Sequence, residues 1–212
     1  MLARYLKASS EKILLPISRK LPPVITPNQI TSMGLLFSLL CGVAFSLGKV
    51  QGAGFLLLSS GFFDLLDGAY SRSRGLATQF GAFWDSTIDR YSDLIVMGGI
   101  TIWFARSGQL LYVLLSLITT AGFVMISYIK ARAENIIKAC SVGLMERPER
   151  ILVLSAGSMM NRLKPTMWIL AILCHQTAVH RIWFTCKEIR NEETKKGSER
   201  NSRRGEGYYG SI

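Results

Sequence analysis

Charge, cysteine and histidine are all scarce in this chain. Of 212 residues only 18% are Asp, Glu, Lys or Arg, and there are two histidines and four cysteines. The cysteines, Cys41, Cys140, Cys174 and Cys186, show no paired framework, which excludes a disulfide scaffold. No CxxC or CxxxH pattern occurs, so a zinc site is not expected. Acid is in particularly short supply: 14 acidic against 25 basic residues leave a net charge of +11. Such a surplus often means nucleic acid, but here the basic residues lie between apolar runs, and no nucleic-acid partner is expected. Apolar residues make up 49% of the chain and its mean hydropathy is +0.28, which excludes disorder for most of its length. The length suits one domain.

Crossing a bilayer takes about 20 mostly apolar residues. Residues 110–129 and 30–48 contain no charge at all. Residues 52–63 are apolar until Asp64, and residues 80–104 are apolar apart from Asp85, Asp89, Arg90 and Asp93. Residues 151–160 form a short fifth run, and 165–184 a sixth with a polar end. The pattern predicts an all-α integral membrane protein with six transmembrane helices. A cleaved signal peptide is not expected, because the first 20 residues lack a continuous apolar core.

Residues 1–21 instead alternate Leu2, Tyr5, Leu6, Ile13 and Ile17 with Arg4, Lys7, Lys12, Arg19 and Lys20. That predicts an amphipathic helix lying on an anionic lipid surface. Pro22, Pro23 and Pro27 then break the chain, and Thr26 or Asn28 can cap the first membrane helix. The expected organisation is an interfacial helix over 1–21, a membrane domain over 22–186 and a basic, mostly disordered tail over 187–212. With the N-terminus inside, 21 basic residues fall on the inner side and four (Lys49, Arg106, Arg162 and Lys164) on the outer. This asymmetry predicts a cell-membrane protein with both termini and the active site in the cytoplasm.

Acids inside apolar helices are expensive and mark function. Asp64 and Asp67 are three apart, and Asp85 and Asp89 four apart, so each pair shares one helical face. A short connection, residues 73–80, predicts an antiparallel hairpin that brings the four together near the inner surface. Four such carboxylates repel unless cations neutralise them. Oxygen ligands beside a phosphate substrate suit two Mg2+ or Mn2+ ions. The competing reading is buried salt bridges to Arg72, Arg74 and Arg90. Gly68 and Gly81 lie on the acid faces, where the lack of a side chain admits a ligand.

Written out, the hairpin is Asp64-x2-Asp67-Gly68-x2-Ser71-Arg72-x8-Gly81-x3-Asp85-x3-Asp89. It resembles the signature of the CDP-alcohol phosphotransferase family, with Ser71 where the family has Ala. The resemblance covers roughly residues 1–184. It implies six membrane helices, a homodimer, and transfer of a substituted phosphate from a CDP-linked donor to an alcohol with release of CMP. It implies that Asp64, Asp67, Asp85 and Asp89 hold the metals, with Asp89 as ligand or general base. It further implies that Gly68, Ser71, Arg72 and Gly81, together with Asp67, face the nucleotide. Pro27, Asn28 and Thr31 resemble the motif before the family's first helix, which borders the same nucleotide. A carboxylate near the acceptor hydroxyl can take its proton as the new bond forms.

A second cluster bears on the acceptor. Ser127-Tyr128-Ile129-Lys130-Ala131-Arg132-Ala133-Glu134 and Gly143-Leu144-Met145-Glu146-Arg147-Pro148-Glu149-Arg150 resemble the subgroup that makes phosphatidylinositol phosphate or its archaeal counterpart. That implies CDP-diacylglycerol or CDP-archaeol as donor and inositol phosphate as acceptor. An acceptor phosphate calls for fixed cations. Lys130, Arg132, Arg150 and Arg181 are the candidates, whereas Arg147 is expected to pair with Glu146 or Glu149 or to lie at the surface. The alternatives are glycerol 3-phosphate as acceptor, in a phosphatidylglycerol phosphate synthase, and a non-catalytic anion or metal channel. The channel fits poorly, because the acids cluster at one end only.

Overall fold

The computed structural model describes residues 26–137 and 139–209, with Leu14, Pro16 and Pro22 before them, and side chains as far as Thr194. The amphipathic helix expected over 1–21 lies outside the described residues, save Leu14 and Pro16. Leu14 is buried against Ile30, Leu66, Ala69 and Tyr70. Among the described residues there are six helices and no strand: α1 (Pro27–Ser46), α2 (Val50–Ser73), α3 (Gln79–Arg106), α4 (Leu110–Glu134), α5 (Arg147–Met159) and α6 (Leu163–Tyr209).

Local chemistry sets the helix starts near the site. Thr26 Oγ1 accepts from the Gln29 N–H at 3.4 Å and Gln29 Oε1 accepts from the Thr26 N–H at 2.9 Å. That reciprocal capping box, with Pro27 at the first turn, begins α1. Thr78 caps α3 by accepting from the Gly81 N–H at 3.0 Å.

The helices close into a ring. α1 packs on α2 and α3, α3 on α4, α4 on α6, α6 on α5, and α5 back on α2. The two acid-bearing helices, joined by residues 74–78, each take α1 as principal partner. Small residues make this possible. A Cβ on Gly99 would run into the Gly42 backbone, and one on Gly42 would lie 2.8 Å from the Ile95 carbonyl oxygen, so only glycines let α1 and α3 cross there. Between α1 and α2, Ser60 Oγ donates to the Gly34 carbonyl at 2.9 Å and meets Ser38 Oγ at 2.7 Å. With α1 wedged beside both helices, room remains between α2 and α3 for a cavity.

Beside an apolar core, the bundle buries several charges and turns apolar side chains outward. Asp67, Glu149, Arg150 and Arg181 are buried, while Leu110, Leu111, Leu114, Leu117 and Ile118 of α4 face outward. α1 and α4 are long and apolar enough to cross a membrane. The tail departs from the sequence-based expectation, since α6 stays helical to Tyr209 where disorder is expected from residue 187. No proline follows Pro165 and the segment is rich in Glu, Lys and Arg, which sustain a helix already begun in the bundle.

Candidate active site

A cavity of about 660 Å³ opens where the C-terminal half of α2, the start of α3, the end of α4, the start of α5 and the middle of α6 meet. Asp64, Asp67, Gly68 and Arg72 line it from α2, and Asp85, Asp89 and Asp93 from α3. Carboxylate oxygens of Asp64, Asp67 and Asp85 all lie within 4.8 Å of one another. Asp67 is buried and accepts a 2.6 Å bond from Thr31 Oγ1, which lies 3.1 Å from the Pro27 carbonyl oxygen. Thr31 thus fixes one acid from α1, without itself lining the cavity.

Arg147 is a residue that sequence reasoning misplaced. The expected pairing with Glu146 or Glu149, or a surface position, gives way to a position inside the cavity. Its Nη1 lies 2.6 Å from Asp64 Oδ1 and 2.5 Å from Asp89 Oδ1, and its Nε 3.9 Å from Asp93 Oδ1. Arg90 Nη1 stands 3.8 Å from Asp89 Oδ2, at the edge of ion-pair range, and donates to the Ser86 carbonyl at 2.6 Å. Asp93 was also missed as a site residue, although it follows Asp89 by one helical turn and so shares its face.

The basic side of the cavity comes from α4, α5 and α6. Lys130, Arg150 and Arg181 all line it. Arg181 is 1% exposed, yet its charge is well held. Nε donates to the Val142 carbonyl at 2.8 Å, Nη1 to the Ile126 carbonyl at 2.9 Å, and Nη2 lies 3.3 Å from Glu146 Oε1. Gly143 permits this packing: its φ is +120°, and a Cβ there would sit 2.5 Å from Thr177 Cγ2 and 3.3 Å from Arg181 Nε. Arg150 pairs with Asp93 at 3.1 Å, donates to the Phe123 carbonyl at 3.0 Å, and stacks 4.4 Å above the Phe123 ring. Arg132 is exposed near the end of α4 and does not line the cavity, so it is not gathered with the other three.

The nucleotide candidates divide between two places. Gly68 and Arg72 line the main cavity, with the Arg72 guanidinium 3.2 Å from where a Gly68 Cβ would be. Asn28 lines a separate groove with Phe80 and Trp84, and its Oδ1 lies 3.8 Å from where a Gly81 Cβ would be. Pro27 sits at the head of α1, and Ser71 is half-buried on α2 outside the cavity lining.

The acid cluster suits a divalent cation. Asp85 Oδ1 is buried with no hydrogen-bond partner among the described residues, beside the oxygens of Asp64 and Asp67. A buried carboxylate oxygen without a partner is costly. An all-oxygen donor set of this kind matches Mg2+ or Mn2+. Asp64, Asp67 and Asp85 are the residues that would hold such an ion.

Comparison with known proteins agrees with this chemistry. The model of the CDP-alcohol phosphatidyltransferase family matches residues 24–184. The archaetidylinositol phosphate synthase of Pyrococcus horikoshii is 37% identical over 166 residues, covering 78% of this chain and 86% of that protein. The crystal structure of Mycobacterium tuberculosis phosphatidylinositol phosphate synthase with CDP-DAG bound superimposes with a TM-score of 0.75 at 34% identity, covering 82% of this chain and 94% of that one. The same enzyme in complex with manganese and citrate gives a TM-score of 0.72, also at 34% identity, over 81% of this chain and 88% of that one. With residues 24–184 matched by the family's model, the chain belongs to the CDP-alcohol phosphatidyltransferase family.

Proposed function

We propose that this protein is an integral membrane enzyme of phospholipid biosynthesis. It transfers a phosphatidyl or archaetidyl group from a CDP-linked lipid to a hydroxyl of inositol phosphate and releases CMP. One observation carries the reading: a single cavity has a cluster of three carboxylates on one side and Lys130 and Arg181 on the other. The acidic side suits cations that bind a pyrophosphate, and the basic side suits the phosphate of an anionic acceptor. The names of the relatives support the same donor and acceptor classes.

Asp64, Asp67 and Asp85, with Asp89 beside them, would hold two Mg2+ or Mn2+ ions, which supply charge neutralisation at the transferred phosphate and at the departing CMP. Asp89 acts as general base. As it takes the acceptor's proton, the acceptor oxygen bonds to the β-phosphorus and the bond from that phosphorus to the CMP oxygen breaks. Arg147 holds the Asp89 carboxylate in position. Thr31 orients Asp67, while Gly68, Arg72, Ser71 and Gly81, with Pro27 and Asn28, border the cytidine and pyrophosphate. Lys130, Arg150 and Arg181 form the acceptor side.

The same reading has all six helices inserted in the membrane. α5, at 13 residues, spans about 20 Å, less than the roughly 30 Å of a bilayer core. Its charged start faces the cavity. The 21-to-4 distribution of basic residues supports a cytoplasmic cavity and cytoplasmic termini in the cell membrane. Residues 1–21 as an interfacial helix, 22–186 as the membrane domain, 187–212 as a cytoplasmic extension, and a homodimer complete it.

The test is CMP release by the purified protein in detergent, with CDP-diacylglycerol or CDP-archaeol and magnesium or manganese. Inositol phosphate, glycerol 3-phosphate, inositol and serine are compared as acceptors. Release with inositol phosphate alone, abolished by EDTA, is the expected result. Release with glycerol 3-phosphate instead would keep the acid chemistry and overturn the acceptor.

A further inference from the structure

Glu146 occupies a place that the proposed reaction does not explain. One of its oxygens, Oε1, serves both cations of the acceptor side, at 3.7 Å from Lys130 Nζ and 3.3 Å from Arg181 Nη2. Both distances exceed the roughly 2.7–2.9 Å of a tight charge-assisted bond. Its side chain is 30% exposed and lines the cavity. It is therefore a loosely held anion sitting where a phosphate is to bind.

Its surroundings let the side chain move while the backbone stays. Met145 on one side is buried, and its N–H donates to Thr177 Oγ1 at 3.3 Å. Arg147 on the other side is pinned to Asp64 and Asp89. Arg181 is equally fixed, because two of its nitrogens are committed to the Val142 and Ile126 carbonyls and only Nη2 is offered to Glu146. The displaced carboxylate also has somewhere to go. Glu146 is the N-cap residue of α5, yet its side chain makes no capping bond there. A carboxylate swung toward that helix start is favoured by the helix dipole.

We infer that Glu146 is the acceptor subsite's built-in counter-ion, holding Lys130 and Arg181 until the acceptor's phosphate displaces it. It thereby acts as a specificity-determining residue against alcohols that carry no phosphate. The inference rests on the reading above that Lys130 and Arg181 receive that phosphate. A phosphate brings more charge and more oxygens than one carboxylate oxygen, so it restores what the displacement removes. A neutral alcohol that pushes Glu146 aside leaves two cations without an anion.

An internal competitor that holds a subsite about nine-tenths of the time weakens the apparent affinity about tenfold. The probe is inorganic phosphate, added to the full chain in detergent, with the phosphate-dependent rise in Tm as readout. Glu146→Gln, nearly isosteric, should reach half-maximal stabilisation at about five- to tenfold less phosphate than the wild type. Glu146→Ala should do the same, which guards against a folding artefact in either variant. The KM for inositol phosphate should fall in parallel, with the KM for the CDP-linked lipid unchanged. Lys130→Gln tests the underlying subsite separately and should demand about tenfold more phosphate. If Lys130→Gln weakens phosphate binding while both Glu146 variants leave it unchanged or weaken it too, the subsite stands and the counter-ion role is overturned. If Lys130→Gln leaves phosphate binding at the wild-type level, the subsite reading fails and the inference falls with it.

Discussion

The two sides of the cavity differ in how their charges are satisfied. On the acidic side Asp67 has a hydroxyl partner in Thr31, Asp85 keeps a buried oxygen with no hydrogen-bond partner among the described residues, and Asp64, which crowds against both, shares the Arg147 guanidinium with Asp89. On the basic side each buried cation is already anchored: Arg181 by two carbonyls and Glu146, Arg150 by Asp93, the Phe123 carbonyl and the Phe123 ring. The single Arg147 guanidinium does not neutralise Asp64, Asp67, Asp85 and Asp89, so the acids still call for added positive charge. The cations form a finished scaffold that offers only selected donors to the cavity. In the function proposed above, chemistry falls to the first side and recognition to the second.

The comparison breaks most sharply at Asp89. Asp89→Asn keeps the shape of the side chain but removes the proton acceptor, and kcat should fall by about 10²- to 10⁴-fold with little change in donor affinity. Single-turnover CMP release with saturating acceptor checks it. A variant with near-normal rate would move the base elsewhere on the acidic side. Arg150→Ala should damage the other side differently. It strips from Asp93 its nearer partner inside the bundle, leaving only the longer contact with Arg147 at 3.9 Å, and breaking such a pair destabilises by about 3 kcal/mol. The readout is Tm in detergent. A companion variant carrying Asp93→Asn together with Arg150→Gln should recover part of the loss, because no lone charge is then left behind.

The acidic side was legible in the sequence because helix geometry alone brings it together. Spacings of three and four within two adjacent helices put Asp64 with Asp67, and Asp85 with Asp89, on common faces. Asp93 obeyed the same rule and only needed one more turn. The packing of α2 and α3 was less legible. Their short connection marks them as neighbours, but nothing in the local pattern marks the Gly42–Gly99 crossing that packs α3 onto α1. Arg147 escaped because local pairing logic favours neighbours such as Glu146 and Glu149, whereas its partners sit on two other helices. Nothing local marks a guanidinium at the first turn of α5 as facing α2 and α3. The count of six helical runs was readable from hydropathy. The helical state of the extension to Tyr209 was not, since a basic polar segment reads as disorder until a preceding helix carries it onward.

Lys130 and Arg132 turn the comparison into its finest test, because they belong to one basic cluster on one helix. Residues two apart on a helix point to different sides. Lys130 lines the cavity and pairs with Glu146, while Arg132 is exposed away from it. Lys130→Gln should raise the KM for inositol phosphate by about tenfold, the equivalent of one lost charge-assisted contact, with kcat held and the donor KM unchanged. Arg132→Gln should leave both KM values within about twofold, in keeping with the small effects of surface charges. Steady-state kinetics on the two variants side by side decides it. If Arg132→Gln matched Lys130→Gln in acceptor KM, recognition would extend beyond the cavity wall to the rim of α4. The acceptor would then be drawn in by a basic surface as well as held by a built subsite. A salt titration separates those two contributions, because attraction at an exposed rim is screened over about 10 Å at 0.1 M ionic strength while a partly buried contact is screened much less.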